Sequence, residues 1–488
     1  MFSKSIYFKA IIYLTFITNL LATLLFSRAA FSSVIDSNGL LTFEGSIEFS
    51  QKNDPWLTGN IHQQNAIKAM SVAVNTLPDP KISIGLANLP TDGFSFQQEG
   101  MTQAKVGISQ VFPRGDTLSI KGEQLKLESE SFVYQRKDRA AKVAVTVGSL
   151  WLDAYKAQES IVLINKNRAL FEKLVDVAEA SYSSALGKTR QQDIVRAQLE
   201  LTRLEDRLDV LAQQKSHFDG MLSQWLSQFT PEHNGQPSRS MKTTLQLQQI
   251  SLSKQLPEIA LVNRKVVLNK TWLPTSELAR YIASHPSLVA IDKKIKATKI
   301  GIKMAEQKYK PEWGVNASYG YRDDDLLGNS RADLFSVGVS FDLPLFTDNK
   351  QDYEVKSATS STEAIKTEKL ILMRKLLASY ASAKGRLLRL NNRQSLYENK
   401  LLPQIHDEAE ASLTAYTNDN GDFSEVVRSR IAVLNAEIDE LTLKVEENKL
   451  ILELNYMFVG SEKNMAYQEP LKSVEQHHQA IVMVGEKE

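Results

Sequence analysis

The chain has 488 residues, room for one large core or two domains, and 58 Lys and Arg against 57 Asp and Glu leave a net charge of +1. That balance gives no electrostatic reason for a nucleic-acid partner, and a hydrophobic fraction of 42% is too low for a bundle of membrane helices. Cysteine is absent, which excludes disulfides, thiolate metal sites and cysteine nucleophiles.

The N-terminus reads as a secretory signal over residues 1–32. Lys4 and Lys9 precede an apolar run from Ala10 to Phe26, and small residues follow at Ser27, Ala29, Ala30, Ser32 and Ser33. Cleavage after Ala29 or after Ser32 satisfies the small-residue rule equally, and an uncleaved anchor is the competing reading. With no cysteine at the cleavage zone, export without lipidation is expected. No later stretch reaches about 18 uninterrupted apolar residues, so further membrane contact needs something other than helices.

The remainder is duplicated at a constant offset of 231 residues. Pro55 and Pro286 correspond, as do Pro80 and Pro311, Pro113 and Pro344, and Val106-Gly107-Ile108-Ser109 with Val337-Gly338-Val339-Ser340. Ala178-Glu179-Ala180-Ser181 returns letter for letter at Ala409-Glu410-Ala411-Ser412. So constant an offset marks two copies of one long unit, not a solenoid of short repeats. The units are expected over 33–229 and 286–460, with a linker at 230–285 and a polar tail at 461–488.

Each copy opens on a helix that starts at one Pro and ends before the next. Ile67, Met70, Val74 and Leu77 mark its apolar positions in copy one; Ala290, Ile291, Ile295 and Met304 do so in copy two. Two alternating segments follow. Trp313, Val315, Ala317, Tyr319 and Tyr321 alternate with small or polar residues, and so do Phe335, Val337, Val339, Phe341 and Leu343. Copy one has Ile82, Ile84 and Leu86, then Val106 and Ile108. Strands of about 9–11 residues are expected, the length that crosses an outer membrane when tilted, with aromatics near their ends. A soluble sandwich with one wet face is the competing reading of the alternation. Hairpin loops are expected at 91–102 and 322–332. Four strands cannot close a barrel and lipid does not tolerate an open edge, so membrane-spanning strands would oblige several chains to share one barrel.

Long helical stretches come next, at about 114–229 and 345–458. Heptad seams run through Ile194, Ala197, Leu201, Leu204, Leu208 and Leu211. Others run through Leu376, Tyr380, Ala383, Leu387, Leu390, Tyr397 and Leu401, and through Val427, Ile431, Leu434, Ile438, Leu441 and Val445. Interruptions at 186–189 and 418–422 predict two helical hairpins, with Asp193 or Ser424 opening the returning helix. The longer arms approach about 70 residues, roughly 100 Å at 1.5 Å per residue. Pro403 predicts a local kink. In the linker, Val262 and Val266-Val267-Leu268 suggest a short strand.

With these elements in place, the chain resembles the outer-membrane efflux proteins of the TolC type over about 54–460. The hairpin tips carry the resemblance: Tyr182, Gly187, Thr189, Asp193-Ile194-Val195 and Ala197 in copy one, and Tyr416, Gly421, Phe423 and Glu425-Val426-Val427 in copy two. The resemblance implies a mixed α+β membrane protein, a duplicated unit of two membrane-spanning β-strands plus a long α-helical coiled-coil hairpin. Three subunits would close a 12-stranded β-barrel continued by a periplasmic α-helical barrel. It implies a passive, non-enzymatic, cofactor-free duct in the outer membrane of a Gram-negative bacterium. Such a homotrimer is docked by a periplasmic adaptor (membrane fusion) protein onto an inner-membrane pump of the resistance-nodulation-division type.

By the same resemblance, adaptor contacts fall on Leu186, Gly187, Thr189 and Asp193 at the first tip and on Asn420, Gly421, Asp422 and Phe423 at the second. The aperture falls on Glu425, with Arg428 standing where relatives often have a second acid. Copies of Glu425 around one axis would favour cations, and Arg428 is placed to pair with Glu425 at i,i+3. The blocks at 81–90 and 110–115 resemble the heavy-metal subgroup, which makes metal cations the expected cargo. Multidrug efflux and type I protein secretion are the alternatives within the family. A porin or adhesin, and a non-channel periplasmic coiled-coil scaffold, are the readings outside it.

Asp323-Asp324-Asp325 reads as a solvated turn before a cation site, and His477-His478 as part of a polar tail. The sequence contains no HExxH, GxSxG or Gly-rich phosphate loop.

Overall fold

The computed structural model describes residues 39–183, 190–227, 251–418 and 420–461. The signal segment, Leu186, Gly187 and Thr189 of the first tip, and the tail with His477-His478 lie outside the described residues. In chain order the elements are α1 (Phe43–Asn53), α2 (Pro55–Ala73), β1 (Lys81–Ala87), β2 (Gln103–Phe112), α3 (Thr117–Ser183) and α4 (Gln191–Leu226). After the linker come α5 (Thr275–Ile282), α6 (Pro286–Glu306), β3 (Trp313–Tyr321), β4 (Leu334–Phe341), α7 (Gln351–Leu396), α8 (Leu402–Thr417) and α9 (Phe423–Met457). The chain is mostly helical with one small antiparallel sheet.

Pro55 and Pro286 each stand in the first turn of a helix, where a missing N–H costs nothing. Asp54 caps α2 by accepting the Trp56 N–H at 3.1 Å, and His285 caps α6 through its imidazole. In front of each cap lies a helix the proline pattern did not announce. α5 occupies the same relative place in copy two as α1 in copy one, so part of the expected linker belongs to the repeat. The suggested strand at Val266-Val267-Leu268 is instead a single helical turn, Arg264–Val267. Asn263 enters it in the left-handed conformation, and Val267 is buried against α7 residues such as Leu387 rather than paired in a sheet.

The sheet order is β1-β2-β3-β4, every pair antiparallel, so the strand pairs of the two copies lie side by side. β2 and β3 reach the expected length, whereas β1 with 7 residues and β4 with 8 fall short of it. Among the described residues the sheet is open, with four strands and no closed barrel.

Below the sheet α3 runs for 67 residues without a break, roughly 100 Å. It packs against α2 and α4 of its own copy and against α6 and α9 of the other. The second long arm is α7 continued by α8. The kink expected at Pro403 is a π-helical turn, Tyr397–Leu401, and the helix resumes with Pro403 in its first turn. Proline cannot donate to the carbonyl four residues back, and a wider turn placed just before it absorbs the lost bond.

Three apolar cores are stacked along the helices. The first surrounds Trp151, with Phe43 edge-on at 5.5 Å, Tyr155 stacked at 5.4 Å, and Leu222 and Leu452 from other helices. The second unites Leu376, Tyr380, Ala383, Leu387 and Leu390 of the α7 seam with α5 and α9. The third, towards the tips, joins Phe171 and Val175 of α3, Ala197 and Leu204 of α4, and Val427 and Leu434 of α9. Residues of all three expected seams are buried in these cores. Buried polar groups are netted between them. His285 Nε2 lies 3.0 Å from the Tyr456 carbonyl, and the Tyr456 hydroxyl donates to Asp138 at 2.8 Å. Burial depresses the His285 imidazole below its ordinary value.

Candidate functional site

The sheet register sorts its residues into two unlike faces. Ile84, Val106, Tyr319 and Phe335 form one continuous row across the four strands, and Ile82, Ile108, Ala317 and Val337 form the next. At one end Phe112, Trp313 and Phe341 line up, with Trp313 and Phe341 rings 4.9 Å apart; at the other stand Tyr319, Tyr321 and Phe335. The rows of Trp313 and Tyr321 are eight steps apart, roughly 26 Å before tilt, close to the ~25 Å apolar band of outer-membrane barrels. This face is bare, with Ile84 83% exposed. The opposite face carries Ser83, Gly107, Ser318 and Ser336 in one row. A patch this apolar on a folded surface marks a contact with lipid or with protein. Among the described residues β1 and β4 each have one unpaired edge.

The hairpin loops beyond the sheet are clasped to each other. Arg331 donates to the carbonyls of Glu99 at 3.1 Å and Gln97 at 3.3 Å, and Arg322 to that of Gly100 at 3.0 Å. Asp325 accepts from the backbone of Leu327 and Asn329 and from the Asn329 amide, so its carboxylate builds a turn. Among the described residues, no three His, Asp or Glu side chains cluster as metal ligands would.

The second tip gathers the expected residues of copy two. Helix α9 starts at Phe423, one residue before the expected Ser424, because Asp422 is the cap and accepts the Ser424 N–H at 3.2 Å. Gly421 is required by contact: a Cβ there would lie 2.7 Å from the Tyr416 nitrogen. Asn420, Gly421 and Asp422 face outward, as do Glu425 and Arg428, which pair at 3.0 Å. Phe423, expected among the adaptor contacts, is instead 2% exposed and lies edge-on to Tyr416 at 5.5 Å in the tip core. An aromatic ring in the first turn of α9 is the right size to seal the hairpin end, and it is spent on that.

At the first tip, α4 starts at Gln191 with Arg190 before it, two residues ahead of the expected Asp193. Asp193 is 6% exposed, its carboxylate accepting the Arg190 N–H at 3.0 Å, so it closes the helix end instead of facing a partner. Sequence reasoning missed the ties that hold the hairpins in place. Arg430 pairs with Glu410 at 2.9 Å across the second hairpin, and Arg207 donates to Asn435 at 3.0 Å between α4 and α9. Their signal, an arginine facing a carboxylate or an amide on another helix, appears only once the helix pairing is known.

No family model and no curated protein matches the chain by sequence. Solved structures match it by shape. The outer membrane protein VceC of Vibrio cholerae superposes with a TM-score of 0.67 at 13% identity, over 86% of this chain and 97% of that one. The Campylobacter jejuni CmeC outer membrane channel gives 0.66 at 12% identity, over 88% and 89%. The open state of the Neisseria gonorrhoeae MtrE outer membrane channel gives 0.64 at 14%, over 86% and 89%. The chain has the fold of these outer-membrane channels. Most of each chain is covered in both directions, so the likeness is one of the whole fold and not of a fragment. No helix among the described residues is long and apolar enough to cross a membrane.

Proposed function

We propose that the chain is one third of a passive efflux duct in the outer membrane, reached by secretion through its N-terminal signal. The observation that carries this reading is the sheet: bare on a face that is apolar except for Gln110, unpaired at both edges among the described residues, and continuous with helical hairpins roughly 100 Å long. With four strands, β1 and β4 run in opposite directions, so β4 of one copy pairs antiparallel with β1 of the next. Three copies make twelve strands, place the apolar rows against lipid and turn the Ser and Gly rows to a wet lumen.

The tips carry the remaining roles in this proposal. Asn420, Gly421 and Asp422, with Leu186, Gly187 and Thr189, meet the periplasmic adaptor, which links the duct to an inner-membrane pump of the resistance-nodulation-division type. The pump supplies the energy. Heavy-metal cations are the proposed cargo, on the resemblance of the blocks at 81–90 and 110–115. Deleting the gene and scanning tolerance to divalent metals, drugs and bile salts separates this cargo from multidrug efflux, and loss of a secreted polypeptide would indicate type I secretion.

The protein extracted in detergent should have the mass of three chains and give discrete conductance steps in planar bilayers. A water-soluble single chain that never inserts would reject the duct and favour a periplasmic coiled-coil scaffold. The Glu425–Arg428 pair adds a second measurable feature. A carboxylate about 4 Å from a passing cation in water is worth about 1 kcal/mol, roughly a fivefold preference. Glu425→Ala is therefore expected to lower cation over anion permeability by up to about that factor, read as a shift in reversal potential under a salt gradient. An unchanged reversal potential would remove Glu425 from the aperture.

A further inference from the structure

Equivalent helices of the two copies are capped by unlike chemistry. In copy one Asp54 caps α2, and its carboxylate is held by Arg139 at 2.6 Å. The residue 231 positions later is His285, which caps α6. Its side chain is completely buried, and the two ring nitrogens face two different helix ends. Nδ1 lies 3.3 Å from the Ser287 backbone nitrogen at the start of α6 and 2.7 Å from the Ser287 hydroxyl. Nε2 lies 3.0 Å from the Tyr456 carbonyl, in the last turn of α9.

These partners fix the position of the proton. A backbone N–H can only donate, so Nδ1 presents its lone pair; a carbonyl can only accept, so Nε2 carries the hydrogen. One neutral imidazole thus serves a first-turn N–H of α6 and a last-turn carbonyl of α9. The same stretch of α9 fastens the linker, since Asn455 accepts the Val262 N–H at 2.7 Å and donates to the Ala260 carbonyl at 2.9 Å. Gly460 packs so closely on the Ser284 carbonyl that a Cβ there would overlap it. Helix α6, the end of α9 and the linker all meet around this ring.

We propose that His285 is an acid-sensitive clamp, whose protonation frees the start of α6 from its cap while α2 keeps its own. A second ring proton has one place to go, Nδ1, and there it displaces the Ser287 N–H. The new Nδ1–H can turn to the Ser287 hydroxyl, but the backbone N–H is left without its acceptor. The cationic ring also faces the positive end of α6. From α3, Asp138 favours the cation and Lys142 opposes it; from α9, the Tyr456 carbonyl favours it. Asp138 itself is shared between Lys142 at 2.7 Å and the Tyr456 hydroxyl at 2.8 Å. Among the described residues no charged group of α5, α6, α7 or α9 acts on the ring. Burial outweighs these influences and holds the imidazole below its ordinary value of 6.5. An unfolded chain therefore takes up this proton as the pH falls through 6.5, and the folded chain only at lower pH. The stabilisation from the clamp is whole above that value and is lost progressively below it.

Hydrogen exchange of the full-length, detergent-extracted protein tests this, read by mass spectrometry from about pH 7.5 to about 5 and corrected for intrinsic rates. Peptides covering the start of α6 should lose protection by up to about tenfold per pH unit below about 6.5, the linkage of one proton. Peptides covering the start of α2 should stay level. His285→Asn keeps an acceptor and a donor on a side chain that does not titrate, and should flatten the pH dependence at α6. Equal slopes at α6 and α2, or an unchanged slope in His285→Asn, would overturn the clamp and leave the duct reading untouched. Should His285→Asn not be recovered, the comparison of α6 with α2 in the unaltered protein decides alone.

Discussion

Val337→Arg is expected to empty the outer-membrane fraction of this protein. Val337 sits in the middle of β4, opposite Ala317 and in the row that continues through Ile108 to Ile82. Every member of that row is apolar, and Ile82 and Val337 are bare. An arginine at the middle of a lipid-facing strand costs about 2–4 kcal/mol. Three subunits would carry the cost together, against a total stability that for ordinary domains is only about 5–15 kcal/mol. The measurement is the amount of protein in purified outer membranes, set beside Ser318→Arg. Ser318 lies between Gly107 and Ser336 on the small, polar face. That variant is expected to insert at near-normal levels with reduced conductance. If both variants inserted equally well, the apolar face would not be the lipid face and the barrel reading would fail.

The second large effect is expected far from any membrane. Trp151→Ala should destabilise the helical body by about 3–5 kcal/mol, the range for emptying a large aromatic site. Trp151 is fully buried between Phe43 and Tyr155, and its indole N–H donates to the Leu41 carbonyl at 3.3 Å. Truncation opens a cavity, removes one of the two hydrogen bonds that carbonyl accepts (the Ser253 N–H keeps the other, at 3.1 Å), and loosens α1 from α3. Trp151→Phe keeps most of the packing and should lose far less. Thermal unfolding of the detergent-extracted protein, followed by helical circular dichroism, reads the difference. Equal losses for the two variants would mean that the hydrogen bond, not the packing, holds the site.

Much of this architecture was legible in the sequence because its signals are periodic. The offset of 231 residues located both copies, alternation located all four strands, and heptad spacing located residues that are in fact buried, such as Leu376, Leu387 and Leu434. What escaped lacks a periodic apolar signal. Helix α1 buries Gly45, Ser46 and Ser50, and its serines donate to carbonyls four residues back, Ser46 to Thr42 and Ser50 to Ser46. Phe43 is the one large side chain buried with them, so the contact face offers little hydrophobic rhythm to detect. The helix starts at the tips were misplaced by one or two residues for a related reason: Asp422 caps where Ser424 was expected, and Arg190 precedes α4 without a capping side-chain signal. Phe423 looked like a tip residue by position and is a core residue by packing, a distinction that only the neighbouring Tyr416 ring decides.

The π-helical turn at Tyr397–Leu401 makes the two long arms mechanically unlike. Copy one offers an unbroken strut from sheet to tip, which passes a displacement at either end straight to the other. Copy two has a wider turn past its middle, so a sideways pull on Asn420 or Gly421 would be taken up there as bending. In the proposed ring of three copies, rigid staves would alternate with articulated ones, and any bending at the tips would fall to the articulated set.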